Sequence, residues 1–504
     1  MRLLAGQIKN KYVRKWRVSA RCLVHNCPMV LDANSCYQAV KSHDARFDGR
    51  FFTGVTSTRI YCRPVCTAKV PKRENCRFFS SAAAAEAEGF RPCMRCRPEL
   101  APGNASVDAA QRLAQSAASM IEDGIAYGNG IDGVAEQLGV SDRHLRRVFE
   151  TQFSVAPIAF AQTQRLLLAK RLLTDTNMSA TDIAFASGFQ SLRRFNALFK
   201  ERYRLAPSDL RKTAKRVEQD YFTFELAYRP PLDWSHLLSF LGARSIAHVE
   251  SVSQQRYRRT LRIVDNNTHH IGWFEVSRHQ TKSVLVIHVA SSLAKVLPQV
   301  LARVKRLFDL ACQPQEIVAA LGEWAQQNPG LRLPGVVDGF ELAVRAVLGQ
   351  QITVRAATTL AGRFAAAFGD SVTTHYADLK KVFPSAHVIA ARSVDDIAQL
   401  GIIATRSKTI LALARGIMSG SLNLEPSVNV EETLVALQSI PGIGDWTAQY
   451  IAMRALAWPD AFPHTDFGVM KAMGVTNAKQ ALARAEQWRP WRAYAAMHLW
   501  NSLE

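Results

Sequence analysis

The sequence is short of acids. Against 63 Lys and Arg it sets 42 Asp and Glu, a formal net charge of +21, and an excess of that size points to a polyanionic partner rather than to solubility alone. It has no uninterrupted apolar run near the ~20 residues a membrane span needs. Its first 34 residues carry seven Lys/Arg and no acid before Asp32, but they lack the apolar stretch of a secretory signal. That opening reads as a disordered basic extension with Met29 as an alternative start. An Arg-rich, acid-poor start is also compatible with a transit peptide or a DNA-binding arm. Cysteine is nearly missing from most of the chain: eight of the nine lie before residue 97, and only Cys312 lies beyond. This excludes a chain-wide disulfide scaffold and an iron–sulfur cluster in the C-terminal half, and it points to one local metal site. A cytoplasmic, nucleoid-associated protein is expected. With 504 residues and a hydrophobic fraction of 48%, several domains are expected, because one core rarely grows past ~250–300 residues.

The clustered cysteines have a rhythm. Tyr61-Cys62-Arg63-Pro64-Val65-Cys66 and Phe90-Arg91-Pro92-Cys93-Met94-Arg95-Cys96 form two thiol pairs separated by 26 residues. Two such pairs can converge on one tetrahedral Zn²⁺. Cys22, Cys27, Cys36 and Cys76 lack that spacing and read as free or buried thiols. The surrounding segment is basic, with Arg59, Arg63, Lys69, Lys72, Arg73, Arg77, Arg91, Arg95 and Arg97.

A helix–glycine–helix pattern follows and recurs after 49 residues. Ile131 to Leu138 has helical apolar spacing, Gly139 breaks it, and Ser141 can cap a helix bearing Arg143, His144, Arg146 and Arg147. Thr181 to Ala186 and the turn at Gly188 repeat the arrangement, with Ser191, Arg193 and Arg194 on the following helix as groove readers. Pro157 to Leu173 reads as a connecting helix, and Lys200, Arg202, Arg204, Arg211, Lys212, Lys215 and Arg216 close the segment with a basic run. Two helix-turn-helix units predict two major-groove readers, with Phe149, Phe195 and Phe199 assigned to the core. From Leu226 to His288 the pattern alternates like strands around a turn at Asp265-Asn266-Asn267, with a helix near Trp234 to Leu241. From Leu293 onward it is helical.

Within that last part, Ile440-Pro441-Gly442-Ile443-Gly444 reads as a tight turn between two helices. Proline stops the first helix, and the glycines bare backbone N–H groups at the start of the second, where a phosphate can approach. Asp466 lies 22 residues after Gly444, enough for a helix and a return loop.

These motifs carry resemblances. The cysteine segment, with Lys72-Arg73-Glu74-Asn75-Cys76-Arg77-Phe78-Phe79, resembles the zinc methyl-acceptor module of the Ada family. That resemblance implies Cys62, Cys66, Cys93 and Cys96 as zinc ligands and Cys62 as acceptor of a methyl group from a DNA methyl-phosphotriester. No Pro-Cys-His-Arg motif occurs, so the O6-methylguanine activity of that family is not expected. The double helix-turn-helix, with Ala186-Ser187-Gly188-Phe189-Gln190-Ser191-Leu192-Arg193-Arg194, resembles AraC-type regulators. It implies promoter binding, and RNA polymerase as a partner if the protein is an activator. The hairpin with its distal Asp, together with Tyr228-Arg229-Pro230-Pro231-Leu232-Asp233-Trp234 and Phe340-Glu341-Leu342-Ala343-Val344-Arg345, resembles the helix-hairpin-helix glycosylases of the AlkA type. This implies Asp466 as the catalytic carboxylate and Gly442 and Gly444 as the phosphate clamp, with a monovalent cation at the hairpin. It further implies Gln351 as the side chain that fills the gap left by an extruded base, and Trp446, Tyr450, Trp500 and Phe240 as the base pocket. An aromatic pocket suits cationic alkylated purines such as 3-methyladenine and 7-methylguanine. Relatives that also cut the strand carry Lys just after the hairpin; Asp445 and Trp446 stand here, so hydrolysis to an abasic site is expected.

The expected fold is multidomain, mainly α with α+β parts. Residues 1–34 form the extension, 35–105 a Cys₄ zinc module and 106–217 a double helix-turn-helix. Residues 218–310 form a β-rich antiparallel subdomain and 311–504 the helix-hairpin-helix domain. The expected partner is double-stranded DNA, alkylated or promoter. The competing reading is a transcription regulator whose glycosylase domain is catalytically inactive and only binds DNA.

Overall fold

The computed structural model describes residues 32–101, 109–124, 126–210, 220–265, 268–426 and 430–503. The extension through residue 31, Cys22 and Cys27, the Asn266-Asn267 turn and the basic run Arg211 to Arg216 lie outside the described residues. Asp32 already caps the first helix, Ala33–Lys41, accepting from Asn34 N and Ser35 N.

The N-terminal module is built on a four-stranded sheet in the order β3-β1-β2-β4, with β1 Phe52–Val55, β2 Ile60–Cys62, β3 Cys76–Phe79 and β4 Arg91–Pro92. Gly54 in β1 has no room for a side chain: a Cβ would lie 2.7 Å from Phe79 and 2.9 Å from Phe90. A short alanine-rich helix, Ala82–Ala87, packs this sheet onto the next unit.

The two helix-turn-helix units form as expected. Gly139 and Gly188 both take positive φ, +66° and +77°, which only glycine adopts without strain. Ser141 caps Asp142–Phe153 and Ser191 caps Leu192–Tyr203. The helix before the first turn, Ala126–Gln137, is broken at Gly130, whose backbone is not helical. Phe149, Phe195 and Phe199 are fully buried. The connecting helix runs Pro157–Asp175.

The third unit opens with a five-stranded antiparallel sheet in the order β5-β9-β8-β7-β6, with β5 Tyr221–Ala227, β6 Glu250–Ser253, β7 Arg256–Asp265, β8 Thr268–Arg278 and β9 Val284–Ala290. Its inner face (Phe224, Leu226, Tyr257, Ile263, Phe274, Val276, Ile287) builds a core continuous with the second helix-turn-helix through Leu172, Ile183, Phe195 and Phe199. Arg171 of the connecting helix donates to the Glu225 carbonyl at 2.7 Å and stands over the Phe224 ring at 4.8 Å. Ion pairs Arg306–Asp123 at 2.7 Å and Arg50–Glu316 at 2.9 Å cross the same boundary. The regulatory half and the C-terminal half therefore share packed surface.

A second, helical core surrounds the helix Gly339–Leu348. Its Glu341 and Arg345 are not surface charges. Arg259 of β7 bridges Glu341 at 2.6 Å and Glu250 at 3.0 Å, and Arg345 pairs with both carboxylates at 3.2 Å. Buried charges endure only in such closed networks. Tyr450 packs against both the sheet-side and the helical core, so it marks the seam between them. Among the described residues no helix is long and apolar enough to cross a membrane.

Candidate functional sites

Four cysteines meet in the N-terminal module. The parallel pairing of β2 with β4, Tyr61 opposite Pro92, sets Cys62 beside Cys93, and the Cys93 amide donates to Tyr61 O at 3.0 Å. The Sγ atoms of Cys62, Cys66, Cys93 and Cys96 all lie within 4.8 Å of one another, with Cys66 and Cys93 4.0 Å apart. Sulfurs on a tetrahedral zinc stand about 3.8 Å apart for Zn–S bonds of ~2.3 Å, so the donor set and its spacing fit Zn²⁺. Cys66 and Cys93 are buried, whereas Cys62 and Cys96 are half-exposed. The Arg63 amide donates to Cys96 Sγ at 3.3 Å, a bond from outside the cluster that helps orient that sulfur. Cys36 and Cys76 are buried elsewhere.

The basic collar divides. Arg59, Lys69, Lys72, Arg77 and Arg95 are exposed. Arg63 is buried against Asp48, its Nε donating at 2.8 Å, and Arg97 is bound to Asp175 at 2.6 Å and Glu99 at 3.1 Å. Those two hold the module to itself and to the connecting helix.

On the helix-turn-helix units, Arg143, Arg146, Arg147, Arg193 and Arg194 are exposed and His144 is half-exposed. Arg146 pairs with Asp142 at 2.6 Å and Arg147 reaches His144 at 3.1 Å. Ser191 differs from its expected place on the helix. It precedes the first turn, and its hydroxyl accepts from Arg194 N at 3.2 Å as the cap.

The C-terminal site forms at the hairpin between Val430–Gln438 and Asp445–Arg454. Gly442 takes φ +92°, and a Cβ there would fall 2.3 Å from Thr409 Oγ1, so a side chain is excluded twice. Gly444 has ordinary φ and caps the second helix; a Cβ there would meet nothing within 4 Å. Both glycines are exposed, with the helix N-terminus behind them.

Asp466 caps the helix Phe467–Met473, its Oδ1 accepting from Val469 N at 2.8 Å. Two indoles hold the same carboxylate: Trp446 Nε1 donates to Oδ2 at 2.7 Å and Trp500 Nε1 to Oδ1 at 2.9 Å. Three N–H donors suit an acceptor-only carboxylate. The side chain is half-buried and lies within reach of the second hairpin helix through Trp446. Gly468 lets it fold back, since a Cβ there would lie 3.1 Å from Asp466 Oδ1.

Around Asp466 the expected aromatic group assembles. Trp446 stacks on Tyr450 at 5.2 Å and 6°, and Trp500 faces Tyr450 at 6.4 Å. Phe240 is buried beneath two arginines the sequence reading did not single out, Arg244 at 3.8 Å from its centroid and Arg454 at 5.0 Å. Arg454 also donates to the Tyr450 hydroxyl at 2.7 Å. Burial alone would push the Tyr450 phenol up; Arg454, Arg244 and Arg345 outweigh it and hold it below the ordinary tyrosine value. Arg454 stands four residues beyond Tyr450 on one helix, a spacing that places two helical side chains on one face, whereas Arg244 lies in the turn just past the helix Trp234–Gly242 that carries Phe240. Gln351 is exposed with φ +56°, at the turn between Gly339–Leu348 and Val354–Phe368. Phe467, directly after Asp466, is 77% exposed.

Comparisons with known proteins agree with this layout. Residues 35–99 match the family described as the metal binding domain of Ada, and residues 134–213 a helix-turn-helix domain. Residues 223–338 match the AlkA N-terminal domain, and residues 344–491 the HhH-GPD superfamily of base excision DNA repair proteins. The "Probable bifunctional transcriptional activator/DNA repair enzyme AlkA" of Mycobacterium tuberculosis (strain ATCC 25618 / H37Rv) is 37% identical over 489 residues, which is 94% of this chain and 97% of that protein. The "DNA-3-methyladenine glycosylase 2" of Escherichia coli (strain K12) is 35% identical over 277 residues, 55% of this chain and 96% of that protein. The "Bifunctional transcriptional activator/DNA repair enzyme Ada" of the same strain is 33% identical over 180 residues, 36% of this chain and 47% of that protein.

Proposed function

The chain belongs to the family of bifunctional transcriptional activator/DNA repair enzymes of the AlkA type, and on that premise we propose that Asp466 is the catalytic carboxylate of its glycosylase and Cys62 the methyl acceptor of its zinc module. The protein is an alkylation-damage response protein. It joins a DNA-3-methyladenine glycosylase to an Ada-type zinc-binding module and a DNA-binding transcription regulator.

The observation that carries the glycosylase reading is the half-buried Asp466 carboxylate held by the N–H groups of Trp446 and Trp500 beside the hairpin. The backbone N–H groups at Gly442 and Gly444 grip a phosphate of the damaged strand, and a monovalent cation bound at the hairpin would add charge there. Gln351 fills the space vacated by the extruded nucleotide. The base enters beside Trp446, Tyr450 and Trp500, with Phe240 at the back. N3- or N7-methylation makes it cationic, so stacking strengthens and the glycosidic bond weakens. That bond breaks with its electron pair going to the base, which leaves neutral. Positive charge develops at the sugar C1′ and is met by Asp466. A water oxygen then bonds to C1′, passes its proton to Asp466 and from there to solvent, and completes an abasic site. No amine stands where Asp445 and Trp446 follow the hairpin, so the strand remains intact.

In the N-terminal module, Cys62, Cys66, Cys93 and Cys96 would hold Zn²⁺, which would keep the four sulfurs as thiolates at neutral pH. Cys62, half-exposed in a module with exposed Arg59 and Arg95, attacks the methyl carbon of a phosphotriester. The C–O bond breaks, the phosphate oxygen keeps the electron pair, and the sulfur becomes a thioether. The cluster loses one negative charge and repels DNA less, which tightens promoter binding by the exposed arginines of the two helix-turn-helix units. RNA polymerase is the partner this implies. Mass spectrometry of the full chain after exposure to methyl-phosphotriester DNA tests the sensor: a methyl group on Cys62 is expected, and an unmodified Cys62 would leave the zinc as scaffold only.

A further inference from the structure

The turn that carries Gln351 is tied to the hairpin by its neighbour. Gln350 reaches across the cleft, its Nε2 donating to Gly442 O at 2.8 Å and to Thr447 Oγ1 at 3.0 Å. The carbonyl of Gly442 only accepts, so the amide nitrogen, not the oxygen, must face it, and both of its hydrogens are used. Thr447 is buried, so that end of the strut is set in the fold, while the bond to Gly442 is exposed. The helix Ala404–Met418 holds both turns from below. Its Arg406 donates to the Gln350 carbonyl, and its Thr409 hydroxyl donates to Pro441 O at 2.7 Å.

We propose that Gln350 is a positioning residue for base extrusion, a strut that fixes the Gln351 turn against the phosphate-gripping Gly442–Gly444 hairpin. Extruding a base costs a few kcal/mol of pairing and stacking, and that work must be done between two points on the DNA. One point is the phosphate held by the hairpin, and the other is the gap filled by Gln351. If the two turns moved independently, the wedge would yield instead of the duplex. Gln350 joins them with two hydrogen bonds, and Arg406 and Thr409 anchor each turn to one rigid helix. The Gln350 amide nitrogen is spent on protein groups, Gly442 and Thr447, so its effect should scale with the work of extrusion. This rests on the glycosylase assignment above.

The test compares excision of 7-methylguanine from duplex and from single-stranded oligonucleotides of one sequence, under single turnover, for the full chain and for Gln350→Leu. Leucine keeps the bulk and removes the donors. Losing both bonds, one of them exposed to water, should cost about tenfold in rate, which is ~1.4 kcal/mol. The duplex rate should therefore fall about tenfold further than the single-strand rate, with a matching loss of 2-aminopurine fluorescence next to the lesion. Thr409→Val, which removes the donor to Pro441, should give the same duplex-selective loss and serves if Gln350→Leu does not fold. An equal loss on both substrates, or no loss, overturns the proposal. Absence of release by the unmodified protein would instead refute the glycosylase assignment.

Discussion

Replacing Trp500 by Phe, and separately Trp446 by Phe, isolates one feature of the active site. The phenyl ring keeps an aromatic face for the base and for Tyr450, but each change deletes one indole N–H from Asp466, at 2.9 Å and 2.7 Å respectively. Hydrogen bonds to a charged group contribute about 1.5–3 kcal/mol, and the half-exposed carboxylate can recruit water in compensation, so the low end applies. At 1.36 kcal/mol per decade, each variant should lose roughly tenfold in the chemical step. The double variant should lose more than the product of the two, because only the Val469 amide would then fix the carboxylate. The assay is single-turnover release of 7-methylguanine with DNA affinity measured in parallel. Rates within twofold of the parent, or a loss confined to affinity, would show that the indoles only line the pocket and do not orient Asp466.

Two further expectations concern the hairpin and the module interface. Gly442→Ala puts a Cβ 2.3 Å from Thr409 Oγ1 at φ +92°, so chemical denaturation should register a loss of at least about 2 kcal/mol. Gly444→Ala meets nothing within 4 Å and should barely change stability while weakening affinity for abasic-site DNA; unchanged affinity would contradict a phosphate at that turn. Glu86 is buried and accepts from Tyr61 at 3.0 Å, Thr163 at 2.9 Å and Tyr203 at 3.3 Å. Burial pushes its carboxyl from 4.5 up to about 7. The folded state then binds the proton more tightly than the unfolded state, so stability falls as pH rises from 4.5 to 7 and levels above. The total is about 3 kcal/mol at most. Glu86→Gln should remove that slope from the denaturation profile of the N-terminal half, and parallel profiles for both proteins would refute it.

Much of this was legible in the residues because it is written locally. Paired cysteines, glycines at positive φ after short helices, and serines at caps are short-range signals, and Cys62–Cys96, Gly139, Gly188 and Ser141 sit where those signals place them. The hairpin follows from Pro441 and Gly442 in the same way. What stayed hidden is long-range and polar. Nothing in Gln350-Gln351 tells which side chain is exposed and which reaches Gly442, 92 residues further along the chain. The indoles of Trp446 and Trp500 read as aromatic surface, whereas their N–H groups do the orienting. Glu341 and Arg345 look like an exposed helical ion pair until β7 supplies Arg259 to bury them. The shared core across the residue 217 region likewise depends on Phe224 meeting the connecting helix, which no spacing announces.

The central claim is that Asp466 performs the chemistry, and the most direct measurement is release of 3-methyladenine and 7-methylguanine from alkylated duplex DNA by the full chain and by Asp466→Asn, with binding to abasic-site DNA as the control. Release by the parent, a fall on the order of 10²–10³ in the variant and retained DNA binding are predicted. Equal release by both proteins would remove Asp466 from the mechanism, and equal, negligible release would make the C-terminal half a DNA-binding domain without catalysis.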